Sequence, residues 1–161
     1  MTKEQFKTLF DRYFDDIRRY LYYRSGNEAL STDLAQDTFM RIWEKKMNLI
    51  PGSDVGLLYK ISGDLFVSHT RREKLRKEAP DRIRFQQSGR SPEEELEFRE
   101  LQEKYEKALV KLPENQRIVF LMSRMEELTY AEIAARLSLS VKAVEKRMTG
   151  ALSRLRKEII T

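Results

Sequence analysis

Residues Thr129 to Met148 read TYAEIAARLSLSVKAVEKRM, and this stretch decides the fold. Thr129-Tyr130-Ala131-Glu132 has the form of a capping box, in which the threonine side chain accepts from the third helical N–H and the glutamate returns to the cap N–H, so a helix starts there. Ile133, Leu137, Leu139, Val144 and Met148 keep helical spacing across Ser138-Leu139-Ser140, and Ala134 is small where two helices would cross closely. Ser140 is placed to cap a second, longer helix. A short capped helix, a three-residue turn and a longer helix make the pattern of a helix-turn-helix, with Ser138 standing where glycine is common.

With Val141, Val144, Met148, Leu152 and Leu155 turned inward, the residues Lys142, Ala143, Lys146, Arg147 and Thr149 are left outside on the half of the helix that such motifs place in a major groove. Between Ser140 and Lys157 the bases Lys142, Lys146, Arg147, Arg154, Arg156 and Lys157 face one acid, Glu145. That surface suits phosphates, and Lys142 or Lys146 could reach base edges. The plainer reading is an amphipathic helix with a solvated basic face.

Upstream, the helical period continues. Leu112-Pro113-Glu114 interrupts one helix and starts another, expected from Glu114 to Met125, and Ser91-Pro92-Glu93-Glu94 opens the helix before it on a stripe of Leu96, Leu101, Tyr105, Ala108 and Leu109. Between Glu78 and Arg90 the period disappears, which reads as a flexible linker. Ahead of it three helices are expected: Lys3 to about Arg24, ended by Ser25-Gly26-Asn27; about Glu28 to Lys46, burying Leu34, Phe39, Ile42 and Trp43; and one after the Pro51-Gly52 turn carrying Leu58, Ile61 and Leu65 inward. The fold class is therefore all-α, two small helical bundles over 1–77 and 92–161 joined by a linker over 78–91.

The 161 residues include 31 Lys plus Arg against 26 Asp plus Glu, a net charge of +5 that suits a polyanionic partner. Without cysteine and with one histidine, His69, the chain has little material for a metal site or a nucleophilic triad, and no cofactor is expected. The acids from Glu93 to Glu106 are spread around one helix, as solvated and paired acids are, rather than gathered as a nuclease would need. The longest aliphatic and aromatic run, Ile118 to Met122, is too short for a bilayer, and the opening residues lack the apolar core of a signal peptide.

The segment Asp33-Leu34-Ala35-Gln36-Asp37-Thr38-Phe39-Met40-Arg41-Ile42-Trp43-Glu44 resembles region 2 of the extracytoplasmic-function (ECF) sigma factors. Leu112-Pro113-Glu114-Asn115-Gln116-Arg117, with Glu132-Ile133-Ala134 and Ser140 to Arg147, is similar to region 4 of the same family, and together they span nearly the whole chain. The resemblance implies a cytoplasmic, non-enzymatic factor that binds core RNA polymerase, directs it to promoter DNA and helps open the duplex, with no small-molecule substrate. It also implies an anti-sigma factor, often membrane-bound, as partner.

Carried over residue by residue, the resemblance assigns Asp33, Gln36, Asp37 and Phe39, with Met40 on the same face, to polymerase docking. It assigns Asp64, Ser68, His69, Arg71 and Arg72 to the minus-ten DNA element, and the loop Asn48 to Gly56 to a pocket for a flipped-out base. Asp64 and Ser68 stand where the family often has asparagine and aspartate. Ser140, Lys142, Ala143, Lys146 and Arg147 are assigned to the minus-thirty-five element. Tyr59 and Phe66, seven apart, suit either the core or stacking on single-stranded bases. The rival reading is a stand-alone helix-turn-helix regulator that binds operator DNA as a dimer.

Overall fold

The computed structural model describes residues 1–73, 83–84 and 91–160, and among these every regular element is a helix. Seven run in order: α1 (Lys3–Ser25), α2 (Glu28–Glu44), α3 (Val55–Arg72), α4 (Pro92–Lys111), α5 (Glu114–Glu126), α6 (Tyr130–Leu137) and α7 (Val141–Ile160). None is long and apolar enough to cross a membrane.

Local chemistry sets the ends. Thr2 and Gln5 form a capping box at the start of α1, and Gly26 ends it in the left-handed conformation at φ 67°, its N–H bonded to the Tyr22 carbonyl. Ser91 accepts from the Glu94 N–H with Pro92 at the first helical position of α4, and Thr129 and Glu132 cap α6 reciprocally. Ser138 ends α6 at φ 55°, the left-handed position at which glycine carries no steric cost.

In the front bundle, Leu9, Tyr13, Ile17 and Leu21 of α1 pack against Leu34, Ala35, Phe39 and Ile42 of α2 and Leu58 and Tyr59 of α3. Each such side chain contributes on the order of 1.5–3 kcal/mol by leaving water. In the rear bundle α5 is central: Arg117 through Met122 are six consecutive buried residues, because α6 and α7 cover part of the helix and α1 of the front bundle covers another. A helix enclosed all round loses the one-sided stripe of a surface helix.

Four expected burials do not occur. Trp43 is 46% exposed at the end of α2, Leu96 and Leu101 are 61% and 56% exposed, and Val141 is exposed at the start of α7. α4 buries only residues near its C-terminal end, Glu106, Ala108 and Leu109, so its early leucines have no partner helix among the described residues. The expected boundary at residue 77 and most of the expected linker lie outside the described residues. Within that stretch Ile83 is fully buried, and the Arg84 N–H donates to the Tyr22 hydroxyl at 2.9 Å.

Candidate functional site

On α2, Asp33, Gln36, Asp37 and Met40 fall three and four apart and all four are exposed. Neither acid has a side-chain partner among the described residues, so both charges are available to a cation from outside. Phe39 departs from the expected surface: at 1% exposure it lies beneath that face, its ring 5.2 Å from Phe10 and 5.9 Å from Phe14. It supports the face without forming it. Trp43 extends the face at its C-terminal end, and Phe6 backs it at 5.1 Å.

On α3, Asp64, Ser68, Arg71 and Arg72 are exposed and His69 is half-buried. Residues 64, 68, 71 and 72 share one side of the helix, and exposed Lys60 continues it one turn earlier. The sequence reading missed Lys60, although its four-residue spacing from Asp64 was a usable signal. Tyr59 is core, its hydroxyl accepting from Arg136 of α6 at 2.8 Å. Phe66 is half-buried beneath the Arg24 guanidinium at 4.6 Å.

On α7, the Ser140 hydroxyl accepts from the Ala143 N–H at 3.1 Å, which fixes the first turn. Lys142 and Lys146 are exposed one turn apart, while Ala143 and Arg147 are half-buried. The positive end of the helix dipole and two exposed ammonium groups thus coincide.

Between the bundles lies a set of charged residues that the sequence reading did not single out as a contact. Arg117, 1% exposed, donates from Nε to the Tyr23 carbonyl at 2.8 Å, from Nη2 to the Arg24 carbonyl at 3.3 Å and from Nη1 to the Leu112 carbonyl at 3.0 Å. Arg24 of α1 pairs with Glu114 of α5, and Arg136 of α6 reaches Asp16 of α1 at 3.1 Å. Arg19 pairs with Asp16 and lies 3.4 Å from Glu126. Burial lowers the Arg117 guanidinium from its ordinary range and raises the Glu126 carboxyl and the Tyr23 hydroxyl, so Tyr23 keeps its proton throughout the neutral range.

Residues 9–74 match the family described as sigma-70 region 2, and residues 102–155 match sigma-70, region 4. The chain is similar to the ECF RNA polymerase sigma factor SigE of Mycolicibacterium smegmatis, 31% identical over 92% of this chain and 59% of SigE, so it spans about three-fifths of that relative's length. It is also similar to the ECF RNA polymerase sigma factor SigM of Bacillus subtilis, 24% identical over 92% of this chain and 91% of SigM. Among solved structures, the sigma factor RpoE in complex with the anti-sigma factor NepR from Bartonella quintana shares the fold at a TM-score of 0.68 and 21% identity, over 97% of both chains. With the front helices matched to region 2, the stand-alone operator-binding regulator is not favoured.

Proposed function

The chain belongs to the sigma-70 family, in its extracytoplasmic-function group, and from that premise we propose that it binds core RNA polymerase and directs it to promoter DNA. The observation that carries this reading is the pairing, in one chain, of an exposed acidic and apolar face on α2 with a capped, lysine-bearing recognition helix at α7. The front unit, 1–77, docks on the polymerase through Asp33, Gln36, Asp37 and Met40, with Phe39 holding that face from below. It receives the minus-ten strand along Lys60, Asp64, Ser68, His69, Arg71 and Arg72. The rear unit, 92–161, reads the minus-thirty-five element through Ser140, Lys142, Ala143, Lys146 and Arg147.

The chain catalyses no reaction itself. Opening a base-pair step loses stacking of about 1.4 kcal/mol, and contacts to the captured strand offset it, so melting is driven by binding. An anti-sigma factor would act by covering the same faces, and the chain works in the cytoplasm, where polymerase and promoters are.

Run-off transcription with core polymerase over a promoter library tests the assignment. Asp37→Ala is expected to weaken polymerase binding with promoter preference intact, and Lys146→Ala to weaken promoter binding with polymerase affinity intact. Full activity in both variants, or tight specific DNA binding without polymerase, would overturn it.

A further inference from the structure

We propose that the cleft where α3 meets α1 and α6 is a binding site for a small phosphorylated anion of the pyrophosphate kind, held by Arg24, Arg136 and Lys60.

The first support is the size and charge of the cleft. It encloses about 240 Å³, whereas pockets for drug-sized molecules run to about 300–1,000 Å³, so it suits a compact group. Arg24 of α1, Lys60 of α3 and Arg136 of α6 line it, and among the described residues Asp64 is the one acid in the lining. Three cations drawn from three helices around one carboxylate leave a positive surplus that an anion completes.

The second support is hydrogen-bond accounting. Arg24 pairs through Nε with Glu114 and donates from Nη1 to the Tyr20 hydroxyl at 3.2 Å, and Arg136 donates from Nη1 to Asp16 at 3.1 Å and to the Tyr59 hydroxyl at 2.8 Å. The Nη2 group of each makes no bond among the described residues, and neither does the Lys60 ammonium or the Ser138 hydroxyl, both also in the lining. Tyr20 and Tyr59 line the cleft at 8% and 2% exposure. Each phenol oxygen accepts from an arginine, while its own O–H has no acceptor among the described residues. A buried donor left unmet costs free energy. The cleft thus holds donors in excess of acceptors, and a phosphate group brings acceptor oxygens to both forks.

The third support is that the forks are fixed in advance. Arg24 lies 4.6 Å over the Phe66 ring and Arg136 5.7 Å over the Tyr59 ring, and the acids that pair with them, Glu114 and Asp16, stand outside the lining. Little side-chain freedom is left to lose on binding. Gly63 also lines the cleft, and a Cβ there would lie 3.1 Å from Arg24 Nη1 and 3.2 Å from the Tyr20 hydroxyl, so the missing side chain keeps that space open. Lys60 and Asp64 belong as well to the face proposed for the minus-ten strand. The anion and the strand would therefore draw on the same ammonium, a consequence that, unlike the site itself, rests on the function given above.

Isothermal titration of the full chain at constant ionic strength, with inorganic pyrophosphate as the probe, tests the site. One saturable equivalent is expected. Arg24→Gln and Gly63→Ala are each expected to weaken it about tenfold and Lys60→Gln about threefold, while Asp64→Asn tightens it about threefold. Lys45→Gln removes an exposed ammonium outside the lining and is expected to leave affinity unchanged. Alanine is favoured over glycine inside a helix, so Gly63→Ala keeps the fold, as circular dichroism checks, and it decides the question with Lys60→Gln if Arg24→Gln unfolds.

Two further probes separate the sources. ADP bound more tightly than pyrophosphate identifies a nucleotide with its phosphates in the cleft, and ADP bound no more tightly identifies the free inorganic anion; either supports the site. A dinucleotide phosphodiester bound as tightly as pyrophosphate would make the cleft part of a nucleic-acid surface and overturn the proposal. No saturable pyrophosphate binding, unchanged affinity in both Gly63→Ala and Lys60→Gln, or an equal loss in Lys45→Gln and Lys60→Gln would overturn it too.

Discussion

The Nε of Arg117 donates to the carbonyl of Tyr23 at 2.8 Å, joining residues 94 positions apart in the chain. The carbonyl end of α1 carries partial negative charge, and a buried guanidinium from α5 answers it while Nη1 ties back the Leu112 carbonyl just before its own helix. Arg117→Ala leaves these acceptors without their donor and opens a cavity, so it is expected to cost about 2–4 kcal/mol in urea denaturation. Arg117→Lys should recover only part of that, because a single ammonium cannot span the three carbonyls the planar fork reaches. A loss below about 1 kcal/mol for the alanine variant would contradict this role.

Glu126 gives a pH dependence with a definite sign. Burial pushes its carboxyl above the ordinary carboxylate value and Asp16 adds to this, while Arg19, Arg136 and the Tyr23 hydroxyl draw it back, for a net rise. The folded chain therefore holds this proton more tightly than the unfolded chain, and the stability it contributes is present below the ordinary carboxylate value and lost as pH rises through the raised one. Glu126→Gln is expected to be as stable as wild type or more so at neutral pH, with the gap closing as pH falls through the raised value toward the ordinary carboxylate range. Chemical denaturation of both proteins across that range checks it, and a variant clearly less stable at neutral pH would show that the pairing outweighs the burial.

Ser138 adopts φ 55° at the end of α6. The left-handed conformation costs an L-residue about 1–2 kcal/mol, partly returned by the entropy a glycine loses on folding. Ser138→Gly should therefore stabilise the protein by about 0.5 kcal/mol in thermal melts, and a destabilisation would mean that the serine side chain contributes contacts worth more than the strain.

Thr129→Ala removes half of a capping box and is expected to cost about 1 kcal/mol, concentrated in faster hydrogen exchange along α6. The backbone N–H and hydroxyl of Thr129 hold the Glu132 carboxyl below its usual value, so the stability it contributes is present above that usual value and is lost as pH falls through the lowered one. Uniform exchange rates in variant and wild type would exclude the local role.

Lys142→Ala and Lys146→Ala each remove one exposed ammonium from α7, the helix proposed to read DNA. A lysine that contacts phosphate alone should lower affinity evenly across promoters and reduce the salt slope of binding by about one, whereas one that reads a base edge should change the ranking of sequences. Titrations at several salt concentrations over a few promoters separate the two outcomes.

Elements whose ends are set by local chemistry were legible in the sequence. Thr129 with Glu132, Ser91 with Pro92, and Gly26 each mark a boundary found within a residue or two, because capping depends on neighbours in the chain. Burial was legible only where one helix had one partner. The run Ile118 to Met122 gave no face to choose, since it is covered on several sides, while Leu96 and Leu101 kept a core-like period on a stretch of α4 where both stay exposed. The exposed acids of α2 followed from spacing, but Arg117, Arg136 and Glu126 did not stand out. Their partners Tyr23, Asp16 and Arg19 lie roughly a hundred residues away, and a charged residue destined for such a contact looks like any solvated one until the chain has folded.

Ile83, buried with its neighbour's N–H on Tyr22, divides the stretch between α3 and α4 into two shorter spans. Fully extended, the stretch from 73 to 91 reaches about 60 Å, but with Ile83 seated neither span exceeds about 35 Å. A single isoleucine side chain therefore sets how far the two units can diverge and how high an effective concentration each presents to the other. Replacing it with a polar residue would lengthen the leash without altering any residue assigned above to DNA or polymerase.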